Sequence, residues 1–125
     1  MKSTTNWVNK TVLIAEDEYT NALLLLEYLE ATGIKAITAI NGLEVLELCS
    51  RIRPDIILLD MKMPQMNGFE TIPKIRELYP DVPIIAQSAY AIAGDKERIL
   101  KAGCNDYIAK PIEESVLLKM MAHYL

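Results

Sequence analysis

Residues 55–64 read DIILLDMKMP and give the clearest indication of the fold in this sequence. Its apolar residues 56–59 are consecutive and are followed by turn-forming residues, which is typical of a central parallel strand buried on both faces. Such a strand delivers Asp60 to its carboxyl end. In an open parallel α/β sheet, ligands bind at that edge. Asp60 is therefore a candidate for chemistry, with a solvated loop residue as the plainer interpretation.

The length and composition of the chain predict one compact domain. The sequence has 125 residues, of which 51% are hydrophobic and 24% are charged, and it lacks low-complexity tracts. A chain of this size buries roughly two thirds of its unfolded surface, and a second domain does not fit. We expect residues 1–9 to form an N-terminal leader and residues 10–125 to form the domain.

The charge balance excludes some classes of partner. A net charge of −4 and a pI of about 5.0 argue against nucleic acid and against anionic membranes, because both require clustered Lys and Arg. Apolar runs are shorter than the roughly 18 residues of a membrane span, and no signal peptide is visible. We expect a cytoplasmic protein. Cys49 and Cys104 stand outside CxxC or Cys/His clusters and are interpreted as buried small hydrophobic residues.

Strand-like and helix-like segments alternate five times along the chain. This alternation predicts an α/β fold in which helices cover both faces of a parallel sheet. Gly33, after the first helix, suits a left-handed C-cap. The predicted strands are residues 11–15, 35–40, 55–59, 82–88 and 106–109, and the predicted helices are residues 20–31, 42–51, a segment within 68–78, 93–102, and 113 to the C-terminus.

Pro73 is an awkward residue for the third helix. A proline inside a helix removes one backbone hydrogen bond and crowds the preceding turn, at a cost of roughly 3 kcal/mol. Only the first turn tolerates it without that cost. We therefore predict that this helix begins late, near Glu70, or bends at the proline.

Four of the predicted strands end in residues suited to phosphate or metal. Glu16 and Asp17 follow the first strand, Asp60 follows the third, Ser88 ends the fourth, and Lys110 follows the fifth. Carboxylates about 4 Å apart repel by about 4 kcal/mol per pair at an effective dielectric near 20, so a cation is needed among them. Oxygen ligands without His or Cys favour Mg²⁺ over zinc.

This set of side chains predicts phosphoryl chemistry. If the ion is held by Glu16 and Asp17, the Asp60 carboxylate is left to attack phosphorus and carry an acyl phosphate. The ion, the Lys110 ammonium and the Ser88 hydroxyl would neutralise the phosphoryl oxygens. Each residue alone has a plainer explanation, such as a charge at a helix N-terminus, a turn cap or a loop lysine. Their coincidence at four strand ends favours the site.

From residue 10 to the C-terminus the chain resembles the receiver domain of response regulators in two-component signalling. This resemblance implies a single flavodoxin-like, doubly wound sheet of five parallel strands in the order 2-1-3-4-5, with five helices. It also implies a cis peptide bond before Pro111. The segments that match the receiver pattern are residues 14–18 (IAEDE), 54–64 (PDIILLDMKMP), 67–68 (NG), 88–89 (SA) and 103–111 (GCNDYIAKP).

The resemblance also implies a role for each matching residue. A phosphoryl group from a histidine kinase or a histidine phosphotransfer protein would pass to Asp60, with slow Mg²⁺-dependent self-phosphorylation and self-dephosphorylation in place of enzymatic turnover. The surface of the fourth helix, fifth strand and fifth helix would then change, and would engage a downstream effector, a covalently linked kinase module or a second copy of the chain. The implied assignments are Asp60 (phosphoacceptor and metal ligand), Glu16, Asp17 and the Lys62 backbone carbonyl (metal ligands), Ser88 and Tyr107 (switch), and Lys110 (phosphate-pairing cation).

Several residues depart from the usual receiver pattern. Glu16 replaces the Asp of many members, and Lys62 and Tyr90 stand at the rim, two residues beyond Asp60 and the switch serine. Gln87 places an amide in an otherwise apolar strand, and the sequence offers no partner for it.

Two other functions compete with the receiver assignment. One is a Mg²⁺-dependent aspartyl-phosphate hydrolase on a related fold, which usually has a second acid where this chain has Lys62. The other is a degenerate receiver that only binds a partner. A degenerate receiver would lack the acceptor, the acid pair or the lysine, and this chain retains them all.

Overall fold

The computed structural model describes residues 5–89 and 93–125. Their fold is the predicted one: a five-stranded parallel sheet in the order β2-β1-β3-β4-β5 with helices on both faces. The elements are β1 (Thr11–Ala15), α1 (Tyr19–Leu29), a short 3-10 helix (Glu30–Thr32), β2 (Lys35–Ala39), α2 (Gly42–Arg51), β3 (Ile56–Asp60), α3 (Gly68–Leu78), β4 (Ile84–Ser88), α4 (Ala93–Lys101), β5 (Asp106–Ala109) and α5 (Glu114–Tyr124).

β3 is the central strand, and every one of its residues is buried, as predicted from its apolar run. Side chains alternate between the two faces of the sheet. Leu59 packs with residues of α2 and α3, whereas Leu58 packs with residues of α1 and α5. The helices therefore divide into two layers, with α2, α3 and α4 on one face and α1 and α5 on the other.

Most predicted boundaries differ from the observed ones by one or two residues. The difference that bears on function is at β3, which we predicted to end at residue 59 but which includes Asp60, paired with Gln87 of β4. β4 begins at Ile84 and not at residue 82, because Pro83 has no N–H to donate to a neighbouring strand. Gly33 has a φ of 77° and caps the 3-10 turn after α1 in the left-handed conformation, as predicted.

The predicted late start of the third helix is wrong, because α3 runs from Gly68 to Leu78 with Pro73 inside it. Asn67 and Glu70 fix its N-terminus: the Asn67 side chain accepts from the Glu70 N–H at 3.0 Å, and the Glu70 carboxylate accepts from the Asn67 N–H at 3.2 Å. This capping box satisfies two backbone donors and defines the first turn. A bend at Pro73 stays a prediction.

Part of the segment predicted as a leader packs on the domain. Trp7 is 9% exposed and packs in the core on the α1 and α5 face, and its backbone N–H donates to the Thr32 carbonyl at 2.7 Å. The domain boundary at residue 10 stays a prediction. Cys49 and Cys104 are buried, as expected, and burial raises the pKa of the Cys104 thiol to about 11. No helix within the described residues combines the length and apolarity that crossing a bilayer requires.

Candidate functional site

Three carboxylates meet at the carboxyl edge of the sheet. Glu16 directly follows β1 and Asp60 ends the neighbouring β3, so the parallel pairing of these strands brings the two side chains together. A carboxylate oxygen from each of Glu16, Asp17 and Asp60 lies within 4.8 Å of the others. Glu16 is 3% exposed and Asp60 is 4% exposed, whereas Asp17 is open to solvent. The predicted convergence of the two early acids on Asp60 is observed.

The Lys110 side chain reaches the same point from the other side. It follows β5, and its ammonium lies 3.0 Å from Glu16 Oε1 and 3.1 Å from Asp60 Oδ2. Its backbone N–H donates to the Ser88 carbonyl at 2.8 Å, which joins the base of the side chain to the end of β4. The peptide bond between Lys110 and Pro111 is cis, as the resemblance implied.

The buried charges change the proton affinities of the cluster. Burial, together with the Asp60 carboxylate to which protonated Glu16 can donate, raises the pKa of Glu16 to about 7, and the Lys110 ammonium opposes this shift. For Lys110, burial lowers the pKa, but the contacts of its ammonium with the Glu16 and Asp60 carboxylates outweigh burial and raise it. The Lys110 ammonium therefore stays charged, while a second cation is needed to keep Glu16 ionised near neutral pH.

The arrangement of oxygen atoms fits a hard divalent cation. Glu16 Oε1 is buried and has no hydrogen bond of good geometry in the described residues, although the Lys110 ammonium lies 3.0 Å away. Carboxylate oxygens with one free acceptor position, beside an exposed Asp17 that water can reach, suit Mg²⁺. Lys62 donates its backbone N–H to Asp60 Oδ1 at 3.0 Å, which holds residue 62 beside the acid. Metal binding by the Lys62 carbonyl stays a prediction.

The loop after Asp60 is folded tightly against the site. The Gly68 N–H donates to the Met61 carbonyl at 3.1 Å, and a Cβ at Gly68 would lie 2.8 Å from Met61 Cα. Only glycine allows this approach. The Asn67-Gly68 pair therefore both starts α3 and turns the chain back toward the site.

The two residues predicted to act as the switch, Ser88 and Tyr107, lie on the face of the sheet that packs against α2, α3 and α4. Ser88 ends β4, is 7% exposed and lines the cavity above the acids. Tyr107 of β5 is half-buried and packs against the core on the α2, α3 and α4 face. Its neighbour across the strands is Ala86, two residues before Ser88. Tyr90, predicted at the rim, lies outside the described residues.

A cavity of about 740 Å³ covers the acids and extends toward α4. Its far wall contains side chains that the sequence analysis missed: the Arg98 guanidinium lies 4.5 Å from the centre of the Phe69 ring and 3.8 Å from Asp95. These residues come from α3 and α4, and neither helix carried a motif that pointed to the site. Lys62 lies on the cavity wall, as predicted for a rim residue.

A buried aspartate at the end of the central strand, with two further acids and a lysine around it, is the arrangement expected of a signalling domain with a doubly wound sheet that accepts a phosphoryl group. The sequence model of the response regulator receiver domain matches residues 12–122. The chain therefore belongs to the response regulator receiver domain family, as the resemblance indicated, and it is a receiver domain of two-component signalling. The family match does not favour the hydrolase alternative.

Relatives and solved structures agree with this assignment. The polar-differentiation response regulator DivK of Brucella anthropi is 38% identical over 118 residues, which cover 93% of this chain and 96% of that protein. A putative response regulator from Chloroflexus aurantiacus superposes with a TM-score of 0.88 at 29% identity, over 92% of this chain and 96% of that one. The receiver domain of a sensor histidine kinase from Pseudomonas aeruginosa was solved with a magnesium ion coordinated in its active-site cleft. It superposes with a TM-score of 0.85 at 32% identity, over 92% of this chain and 96% of that one.

Proposed function

We propose that Asp60 is the phosphoacceptor of this receiver domain. The observation that carries the proposal is the position of its buried carboxylate, 3.1 Å from the Lys110 ammonium and within 4.8 Å of oxygen atoms of Glu16 and Asp17. An Asp60 oxygen attacks the phosphorus of a phosphohistidine, the P–N bond breaks, and the imidazole leaves with a proton. The product is an acyl phosphate on Asp60.

The other side chains of the cluster stabilise charge during this transfer. Lys110 neutralises the phosphoryl oxygens, and the Ser88 hydroxyl on the cavity wall donates to one of them. We propose that Glu16, Asp17, Asp60 and the Lys62 carbonyl hold Mg²⁺, which when bound supplies positive charge to the phosphoryl oxygens. The relation to a magnesium-containing receiver domain supports this choice of ion.

We propose that phosphorylation is read at the surface of α4, β5 and α5. A phosphoryl group adds a charge of roughly −1.5 to −2 and draws Ser88 toward the acceptor. The half-buried Tyr107 then turns toward the space that Ser88 leaves, and the surface around it changes. The proposed donors are a histidine kinase or a histidine phosphotransfer protein. The proposed readers are a downstream effector, a covalently linked kinase module or a second copy of the chain.

Mass spectrometry tests the acceptor assignment directly. The chain is incubated with acetyl phosphate and Mg²⁺, and the same treatment is applied to Asp60→Asn, which keeps the size of the side chain but removes the nucleophilic oxygen. We expect a single phosphoryl adduct on the wild type and none on the variant. A stable adduct on Asp60→Asn, or no adduct on the wild type under conditions where it is folded and binds Mg²⁺, would contradict the proposal. Slow loss of the adduct would show self-dephosphorylation.

A further inference from the structure

Gln87 is a buried residue that the site described above does not use. Gln87 is 1% exposed, and within the described part of the chain neither its Nε2 nor its Oε1 has a hydrogen-bond partner. Burying an amide without partners lowers stability, so an unpaired amide in a native core requires an explanation. An apolar residue of similar size would fill the same space at no such cost.

The register of the sheet places Gln87 beside the phosphoacceptor. Gln87 is the partner of Asp60 in the pairing of β3 with β4, and neighbouring strands lie about 4.8 Å apart. Directly paired residues of parallel strands share a face, so the two side chains leave the sheet on the same side. Ile85, two residues earlier in β4, packs in the core between the sheet and α1 and α5. The Gln87 side chain therefore leaves the sheet beside that of Asp60, on the face that packs against α1 and α5.

Lys110 borders the same position from the next strand. Gln87 pairs with Ile108 of β5, and Lys110 follows on the same face two residues later. The backbone of Gln87 already contacts the acceptor strand, since its carbonyl accepts from the Met61 N–H at 3.0 Å. Within residues 5–89 and 93–125, the buried side-chain oxygen and nitrogen atoms without a hydrogen bond belong to Glu16 and Gln87, which flank Asp60 on its two sides.

We propose that Gln87 is a positioning residue for the acyl phosphate on Asp60, an inference that rests on the proposed phosphoacceptor function. In the unphosphorylated chain the Asp60 carboxylate bonds to Lys110 and to the Lys62 N–H, and the amide is unpaired. When Asp60 is phosphorylated, one of its oxygens enters the new P–O bond and the carboxyl group loses its charge. The Gln87 Nε2 then donates to the remaining carbonyl oxygen.

This hydrogen bond has a definite effect on the lifetime of the acyl phosphate. When water attacks phosphorus, the bond between phosphorus and the Asp60 oxygen breaks, its electron pair returns to the Asp60 carboxylate, and the proton of the water passes to the phosphate product or to solvent. A donor on the carbonyl oxygen stabilises the negative charge that develops there. Gln87 therefore accelerates loss of the phosphoryl group. This effect explains why an amide that lowers the stability of the core occupies the position.

The substitution Gln87→Met tests the inference, because it nearly preserves shape and removes both polar atoms. After the phosphodonor is removed, decay of the adduct is followed by mass spectrometry. We expect a lifetime longer by about three- to tenfold, the range that one hydrogen bond contributes, together with a higher melting temperature. Ile85→Met, on the same strand and face, is the matched control and should leave the lifetime unchanged. An unchanged lifetime in Gln87→Met, or an equal change in both variants, overturns the inference.

A second measurement uses the wild-type chain and does not depend on the folding of a variant. The side-chain amide resonance of Gln87 is followed by nitrogen-15 NMR before and after phosphorylation. It is assigned by selective labelling of glutamine and by comparison with a chain in which the surface residue Gln65 has been replaced. We expect the Gln87 resonance to shift and its protons to exchange more slowly in the phosphorylated chain. An unmoved resonance beside a confirmed Asp60 adduct overturns this inference alone, whereas absence of the adduct contradicts the proposed function itself.

Discussion

The Lys110 ammonium lies 3.0 Å from Glu16 Oε1, so a residue after the edge strand β5 neutralises an acid that follows β1. The Lys110 side chain extends across the carboxyl ends of β4 and β3, which lie between β5 and β1. Its ammonium also lies 3.1 Å from Asp60 Oδ2. One ammonium thus forms ion pairs with two buried carboxylates. The metal-free site therefore contains more buried negative charge than positive charge.

Replacing the ammonium should destabilise the metal-free chain. Lys110→Met keeps the aliphatic part of the side chain but leaves two buried acids without their cation. Breaking a buried pair from one side costs about 3–5 kcal/mol. Because the Lys110 side chain is 19% exposed and Glu16 can take up a proton, we expect a loss of about 2 kcal/mol in urea denaturation at pH 8. Lys119→Met, on the exposed side of α5, is the control, and equal losses in both variants would contradict the prediction.

The stability of the metal-free chain should fall as pH rises from about 5 to 8. Burial, with a further contribution from Asp60, raises the pKa of Glu16 from 4.5 to about 7, so the folded state binds this proton more tightly than the unfolded state. Between these two values the folded chain holds more protons, and the free energy of unfolding therefore decreases with pH, by at most about 3 kcal/mol.

Urea denaturation at several pH values, in the presence of a chelator, measures this slope. Glu16→Gln carries no titrating group at this position and should give a flatter profile over the same range. Added Mg²⁺ should also flatten the wild-type profile, because a bound cation favours the ionised carboxylates. A wild-type stability that rises steadily from pH 5 to 8 would show that burial of Glu16 does not govern the titration.

Much of the site could be predicted because its residues stand at the ends of strands. An apolar run that stops at Asp60 fixes the position of that acid, and parallel strands bring their carboxyl ends to one edge, so the meeting of Asp60 with Glu16 and Lys110 followed from local patterns. The wall formed by Phe69 and Arg98 could not be predicted in this way. It depends on how closely α3 approaches α4, and that distance is set by side-chain packing over the whole face.

The start of α3 shows how two local rules can compete. Pro73 favours a late start, whereas the pair Asn67 and Glu70 favours an early one, and the predicted late start rested on the proline alone. The capping box satisfies two backbone donors, while the proline removes a single hydrogen bond, to the Phe69 carbonyl, on the solvent side of the helix. The early start is therefore the stable arrangement.

The rim residues should control how long the acyl phosphate lasts. Lys62 is exposed and lies on the cavity wall, two residues beyond Asp60, where water approaches the phosphoryl group. Tyr90 stands at the matching position after Ser88 in the sequence. We expect the double variant Lys62→Ala, Tyr90→Ala to lose its phosphoryl group several times faster than the wild type, because water reaches phosphorus more easily. Equal rates of self-dephosphorylation would exclude this function for the rim.

Arg76 should be the most important arginine for stability, at the edge of the sheet opposite the site. Its guanidinium donates to the carbonyls of Gly103, Tyr79 and Val82 at 2.9, 3.2 and 2.7 Å, and to Asn105 Oδ1 at 2.8 Å. These acceptors join the end of α3 to the start of β4 and to the turn before β5. Arg76→Met would leave several carbonyls without a donor.

We expect this variant to lose about 2–4 kcal/mol of unfolding free energy in urea denaturation, since each buried acceptor left unpaired costs about 1–3 kcal/mol and water can reach some of them. Arg51→Met is the matched control, because Arg51 makes one ion pair, with Glu47, in which both side chains are more than 60% exposed. That substitution should change stability by less than about 0.5 kcal/mol. Phosphorylation of Asp60 should continue in the folded fraction of Arg76→Met, because the guanidinium contacts none of the acids at the site. A variant that is as stable as Arg51→Met would show that the carbonyls find water or other donors without loss.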